Sequence, residues 1–415
     1  MKLFITLCLI LISCQVLCRR VRGSSTCQLN THIQAVDNVR ADNYDLLLSV
    51  STDDDCSIKC KVSDPNVMTQ IVETYQYYGR FYYFFRFQNL KSFNIYNYDC
   101  GDSNRYAVQF PKNTETKILT FGDWSKHLNG LKTFEFLTKI IPQTKYDALV
   151  TLGDYSYNMG SSSDPSWDSG NIFFEWITPL TSKIPFMMNA GNHEYINRDF
   201  TQYMKRFLMP NKSNSQNLYY SFDINDVHFV SVTSEFGLIN YKGSEYYKTF
   251  KSWFENDLKN SNKRWKVVYL HRPLYCSWTS KPRCSNGAVK LRTFFEDMFY
   301  KSKVDLILAG HLHNYERTYP VYKGQVDTAS LSNDGNTYTN PIYPVHLICG
   351  TGGNREGVTP NCKIFLILDQ LLKFSKTFSN EAGACELSFT HDSIKMRFLS
   401  TSSKDVDAFT IIKNK

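Results

Sequence analysis

The feature of this chain that most restricts its fold is a series of five short apolar runs, each ending in the same kind of residue. The run 117–121 ends in Gly122-Asp123, 148–152 in Gly153-Asp154, 185–190 in Gly191-Asn192-His193-Glu194, 265–270 in His271, and 304–309 in Gly310-His311-Leu312-His313. Apolar runs of this length, bounded by glycine, read as buried strands. Helix-like stretches between several of them, such as 132–141 and 291–301, make βα units. In α/β sheets the loops at the carboxyl ends of the strands converge on one crevice. Single residues of these types cap helices or close turns. Five deliveries of Asp, Asn or His in one direction, with a His-x-His pair among them, are a pattern that packing alone does not require.

The second run carries the sharpest chemical signal. Its loop, Gly153-Asp154-Tyr155-Ser156-Tyr157, offers a carboxylate whose two oxygens can bridge two cations. It also offers a phenol that, once ionised, is a hard anionic ligand suited to a ferric ion. By contrast, His228 and His346 lie inside their apolar runs rather than at the ends, so they are read as core or strand-face histidines.

Together these blocks resemble the five motifs of the calcineurin-like metallophosphoesterases, and Tyr157 resembles specifically the purple acid phosphatases. The strings His271-Arg272-Pro273, Asn314-Tyr315-Glu316-Arg317 and Gly350-Thr351-Gly352-Gly353 extend the resemblance to the long, two-domain form. What it implies is an α/β fold with an all-β N-terminal domain: a fibronectin-like β-sandwich, then a metallophosphoesterase domain of two facing sheets flanked by helices. It also implies Fe(III) held by Asp123, Asp154, Tyr157 and His313. A second divalent metal, Fe, Zn or Mn, would be held by Asp154, Asn192, His271 and His311, with Asp154 as the bridge. The implied activity is phosphate-monoester hydrolysis at acid pH by attack of a metal-bound hydroxide. Asn192 and His193 would contact the substrate, and His193 would protonate the leaving alcohol.

Two departures bear on that activity. The first block reads Asp123-Trp124-Ser125 where the family has Asp-x-Gly, and the 277–283 loop holds no histidine, leaving Lys281, Arg283 or the nearby His127 as substrate contacts. The alternatives are therefore a catalytically weak relative acting as a binding or anchoring protein, or a nucleotidase or phosphodiesterase of the same superfamily.

Composition narrows the setting. The net charge of +8 is spread among acids rather than gathered into a stripe, so no nucleic-acid partner is suggested; the resemblance implies small phosphate esters as partners. Residues 1–18 read as a signal peptide, and the C-terminal end, Ile411-Ile412-Lys413-Asn414-Lys415, carries no second apolar segment. A secreted protein, or one of a lysosome- or vacuole-like lumen, without a stable membrane anchor is expected. The aromatic-rich residues 25–112 read as the β-sandwich, with Asp53-Asp54-Asp55 a solvated turn, and residues 116–415 as the metallophosphoesterase domain. Outside the signal stand nine cysteines. Cys276 with Cys284 and Cys362 with Cys385 are the expected local pairs, Cys349 the expected buried free thiol, and Cys56 and Cys60 disulfide partners rather than zinc ligands. Asn211-Lys212-Ser213 is a glycosylation acceptor expected in an exposed loop.

Overall fold

The structure, a computed structural model, describes residues 29–37, 43–92, 94–101, 106–109, 115–157, 159, 168–195, 199–237, 245–277, 284, 287–358 and 373–414. The expected signal peptide, Cys27, Cys362, Lys281 and Arg283 lie outside the described residues.

The N-terminal region is all β. Strands Thr31–Asp37, Asn43–Thr52, Arg80–Lys91 and Met68–Tyr77 pair in that order as an antiparallel sheet, and Lys61–Val62, Ile95–Asp99 and Tyr106–Gln109 form a smaller one. Phe84, Phe85 and Phe87 are buried with Leu46 and Leu48 of the neighbouring strand, so the aromatic run is core. Asp53, Asp54 and Asp55 are exposed, as a solvated turn requires. Cys60 bonds to Cys100, and Cys56 is also disulfide-bonded. This region packs on the next: Gln34 Nε2 donates to the Ser182 carbonyl at 2.5 Å, and the Leu208 amide donates to Ser49 Oγ at 2.8 Å.

Two seven-stranded sheets follow. In the first, Phe186–Met187, Ala148–Thr151 and Thr116–Phe121 run parallel, and the order continues through Gly383–Phe389, Ser393–Ser400, Ala408–Ile412 and Thr337–Thr339. In the second, Val227–Val232, Trp265–Tyr269, Leu306–Ala309 and Val345–Cys349 run parallel at the centre. Three of the five predicted strands thus lie in one sheet and two in the other. All of them are buried along their length except for Lys117 and Lys266, as expected of strands covered on both faces. Helices occupy the connections: Leu128–Gln143 between the first two strands, Asp168–Thr181 before the third, and Glu245–Asn260 before Trp265–Tyr269. A continuous helical segment, Ala288–Leu291, a π-helical turn at Arg292–Glu296 and Asp297–Lys301, precedes Leu306–Ala309.

The disulfide pattern corrects two expectations. Cys349 is not a free thiol; it is bonded to Cys385, which is therefore not paired with Cys362. Cys385 lies opposite Thr120 in the first sheet and Cys349 ends a strand of the second, so the bond ties the two sheets together. An apolar run that suggested burial of a lone thiol in fact places it beside the other sheet. The predicted Cys276–Cys284 bond is present.

Both strand-face histidines have structural surroundings. His346 is buried, and burial, with Arg292 nearby, pushes it down to about 3, so it is a neutral core ring. His228 bonds Asp223 at 2.7 Å through Nδ1 and Asp257 at 2.9 Å through Nε2. Asn211 departs from expectation: it does not sit in an open loop but starts the one-turn helix Lys212–Ser215, half-buried and in the left-handed conformation at φ 59°.

Candidate metal centre

The loops after the five strands meet between the two sheets. Backbone pairing of the first two strands continues past their ends, for the Asp123 amide donates to the Gly153 carbonyl and the Trp124 amide to the Asp154 carbonyl, both at 3.0 Å. On the second sheet the Gly310 amide donates to the His271 carbonyl at 2.8 Å. The sheets are joined directly above the disulfide by the Gly122 amide, which donates to the Cys349 carbonyl at 2.8 Å.

Asp123, Asp154, Tyr157 and His311 all take left-handed backbone, at φ 61°, 56°, 52° and 69°. Non-glycine residues rarely adopt this conformation, and where several do so together the surrounding structure must hold them there. Glu194 supplies part of that hold. Its buried carboxylate accepts the amides of Asp154 and Gly191, each at 2.8 Å, and that of Tyr155 at 2.9 Å. Close approach does the rest. A Cβ on Gly191 would lie 2.3 Å from Asp154 Oδ1, and one on Gly310 would lie 2.6 Å from Asp123 Oδ2.

The predicted ligands fall into two clusters. In one, Tyr157 OH lies 2.8 Å from His313 Nε2 and donates to Asp123 Oδ1 at 3.2 Å, with His313 Nε2 3.5 Å from that oxygen. In the other, His271 Nε2 lies 3.0 Å from Asp154 Oδ2 and 3.1 Å from Asn192 Oδ1. Asp154, His271 and His311, all buried, offer ligand atoms within 4.8 Å of one another.

The second-sheet rings are oriented from behind. His271 Nδ1 meets the Leu152 carbonyl and His313 Nδ1 the Gly357 carbonyl, both at 2.7 Å. A carbonyl only accepts, so each Nδ1 carries hydrogen and each Nε2 turns its lone pair to the centre when the ring is neutral.

Electrostatics describe a site that wants positive charge. Burial acts against an ionised Asp154, yet His271 and His193 hold it well below the usual carboxylate range. Burial likewise opposes the charged form of His271, but Asp154 and Asp123 outweigh it and push the ring up to about 9. Burial, with Asp123 and Asp154 beside it, drives the Tyr157 phenol well above 10. A phenol so placed ionises only against a strong cation. Two anionic carboxylates, a carboxamide oxygen, a phenol and imidazole lone pairs facing inward are a donor set that fits two hard or borderline metal ions. The protons that the neighbouring carboxylates favour on His271 and His313 would leave on metal binding.

His193 sits beside both clusters. Its amide donates to Asp154 Oδ1 at 2.8 Å, its Nε2 lies 3.8 Å from Asp154 Oδ2 and 3.5 Å from Glu356 Oε1, and its ring is 4.3 Å from that of Tyr157. Ser125 is buried in a conformation open to any residue, because the left-handed position falls on Asp123. The glycine missing from the first block is therefore not needed for Asp123 to reach its cluster. His127 is exposed ahead of the helix Leu128–Gln143.

Three contributors were not identified from sequence. Glu194 stood in a recognised block but without a role, and Glu356 in the glycine-rich loop faces His193. Arg272 donates to Glu235 at 2.7 Å and to His311 Nε2 at 2.8 Å, where it takes up that ring's lone pair, so that a metal would have to displace it to reach this nitrogen. The Arg272–Glu235 pair joins residues distant in sequence and left no local signal.

Comparison with known proteins accords with this geometry. Residues 116–315 match the calcineurin-like phosphoesterase family. Acid phosphatase type 7 of Homo sapiens is 33% identical over 284 residues, covering 64% of this chain and 62% of that protein. Probable purple acid phosphatase 20 of Arabidopsis thaliana is 32% identical over 302 residues, 67% of this chain and 63% of that one. The chain thus spans under two thirds of the length of these curated relatives. A purple acid phosphatase from yellow lupin (Lupinus luteus) seeds shares the fold at a TM-score of 0.72 and 20% identity, over 92% of this chain and 74% of that one. Residues 116–315, which supply the strands and loops of the centre, are therefore a calcineurin-like phosphoesterase domain.

Proposed function

We propose that the protein is an acid phosphatase that hydrolyses phosphate monoesters at a dinuclear centre. In this reading Asp123, Asp154, Tyr157 and His313 hold Fe(III), and Asp154, Asn192, His271 and His311 hold a divalent Fe, Zn or Mn. The observation that carries it is the buried convergence of Asp154, His271 and His311 beside the Asp123, Tyr157 and His313 cluster. Bound there, the metals would acidify a water and neutralise the ester's charge.

The chain's own residues then have separable tasks. Asp154, anchored by Glu194, keeps the two clusters in register. The carbonyls of Leu152 and Gly357 hold the His271 and His313 rings at fixed angles. Asn192 Oδ1, a neutral donor, adds no anionic charge to repel a phosphate. His193, partly exposed beside Asp154, is placed to hold a proton and deliver it to the leaving alcohol, a task an imidazole suits in mildly acidic solution.

Secretion belongs to the same proposal. The disulfides among the described residues suit an oxidising compartment. Cleavage near Cys18, glycosylation at Asn211, and the division into a 25–112 sandwich and a 116–415 domain are parts of this reading. Among the described residues no helix is long and apolar enough to cross a membrane.

The test is release of phosphate by the purified protein from p-nitrophenyl phosphate, bis(p-nitrophenyl) phosphate and AMP at pH 5 and pH 7, with metal content measured alongside. Two metals per chain with the monoester turned over fastest at pH 5 is the expected result. Preference for the diester would make it a phosphodiesterase. A folded, metal-loaded protein that turns over none of the three would make it a binding or anchoring relative.

A further inference from the structure

One cavity lies away from the metal centre. It has a volume of about 620 Å³ and lies between the helix Glu245–Asn260 and the helical segment that ends at Lys301, walled by Lys251, Lys259, Lys266, Lys301 and Lys303. Lys266 and Lys303 mark the amino ends of the strands Trp265–Tyr269 and Leu306–Ala309, whose carboxyl ends carry His271 and His311. At about 3.3 Å per residue, the cavity stands one strand length, roughly 17 Å, from the metal centre on the opposite edge of the sheet.

The bland account of these lysines is that they offset the negative ends of two helices. That need is already met by Lys266, whose Nζ donates to the Leu258 carbonyl at 2.5 Å and the Ser302 carbonyl at 3.4 Å, one near each helix end. The two acids on the walls are also engaged. Glu255 faces Lys251 at 3.9 Å, and Asp297 faces Lys323 at 3.1 Å and accepts from Tyr322 at 2.8 Å. Among the described residues no carboxylate lies within ion-pair distance of Lys259, Lys301 or Lys303. Five lysines against two carboxylates leave the lining of this concavity net positive, which concentrates positive potential in it.

The wall carries a second, independent mark. Thr293 and Phe294 belong to the π-helical turn Arg292–Glu296, an irregularity that recurs at functional sites. The turn sets a hydroxyl and an aromatic face among the lysines. A volume of this size suits a small molecule, and lysines bind phosphate as point charges.

We propose that this groove is a binding site for a small organic polyphosphate, a molecule with several phosphate groups on an apolar or cyclic frame. The ammonium groups of Lys259, Lys301 and Lys303 would take the phosphates, with Phe294 and Met298 beneath the frame. The inference does not rest on the phosphatase reading, because none of its residues is shared with the metal centre.

The experiment is calorimetric titration with myo-inositol hexakisphosphate at pH 7, made in an Asp154→Asn background so that turnover at the metal centre does not interfere. A His193→Ala background repeats the comparison in case the first does not fold, as judged by thermal unfolding. One molecule bound per chain is expected. Adding Lys301→Gln with Lys303→Gln should weaken binding at least about tenfold, while Lys139→Gln with Lys183→Gln, both exposed and remote from the groove, should leave it unchanged. Absence of 1:1 binding, or equal loss in the two double variants, or no loss with Lys301→Gln and Lys303→Gln, would overturn the proposal.

Discussion

The two sheets contribute to the centre in different ways. The first supplies every oxygen donor, Asp123, Asp154, Tyr157 and Asn192, from loops in which three of the four residues have left-handed backbone. The second supplies every nitrogen, His271, His311 and His313, and the outer Nδ1 atoms of His271 and His313 are pinned by carbonyls. Oxygen ligands are short and are placed by the backbone; imidazoles reach further and are placed by what holds their far side. Neither sheet makes a site alone, so the centre depends on how the sheets are held against each other.

The largest effect should come from disturbing the close packing between the halves. Gly191→Ala puts a methyl group within 2.3 Å of Asp154 Oδ1 and against the His271 ring. It is expected to lower kcat/KM at least about a hundredfold, since displacements near 1 Å cost that much. Metal analysis should show the loss of the divalent ion first, while circular dichroism stays close to wild type.

Next comes the tie between sheets. Replacing Cys349 and Cys385 by alanine should destabilise the fold by about 2–4 kcal/mol in denaturant unfolding and weaken metal retention during dialysis. The same replacement at Cys276 and Cys284 removes a bond between residues only eight apart in sequence and should spare metal retention. Equal loss in the two variants would mean that the inter-sheet bond has no special part in assembling the centre.

A smaller effect, confined to the second sheet, concerns pH. Burial works against a charged His228, but Asp223 and Asp257 outweigh it and push the ring up to about 9. The raised value means that its stabilisation is fully present below the ordinary imidazole value near 6.5 and is lost as pH rises through about 9. His228→Gln should therefore lower stability by up to about 3 kcal/mol at pH 5 and by little at pH 9.5, with activity at pH 5 retained below the unfolding temperature. A deficit that did not shrink with rising pH would contradict the assignment.

How legible each part was follows from distance along the chain. A strand, its glycine and its ligand lie within a few residues, so both the five strand ends and the full set of ligand-type residues could be read. Where the first block needs unusual backbone was not legible at Ser125, because sequence shows which residue is present and not which φ it takes; the left-handed conformation lies two residues earlier, at Asp123. The Cys349–Cys385 bond escaped because it joins strands of different sheets, and proximity in sequence favoured Cys362. Arg272 with Glu235, and the lysines gathered from 251 to 303, come together only once the helices pack on the second sheet.

The central claim is that the two halves hold two metals, with Tyr157 on the ferric one. The most direct measurement is the metal content and visible absorption spectrum of wild type beside Tyr157→Phe. Two metals per chain and a phenolate-to-iron band in wild type, with the band abolished and the fold retained in the variant, is the result predicted. A wild-type protein without iron, or a band that persists unchanged in Tyr157→Phe, would contradict it.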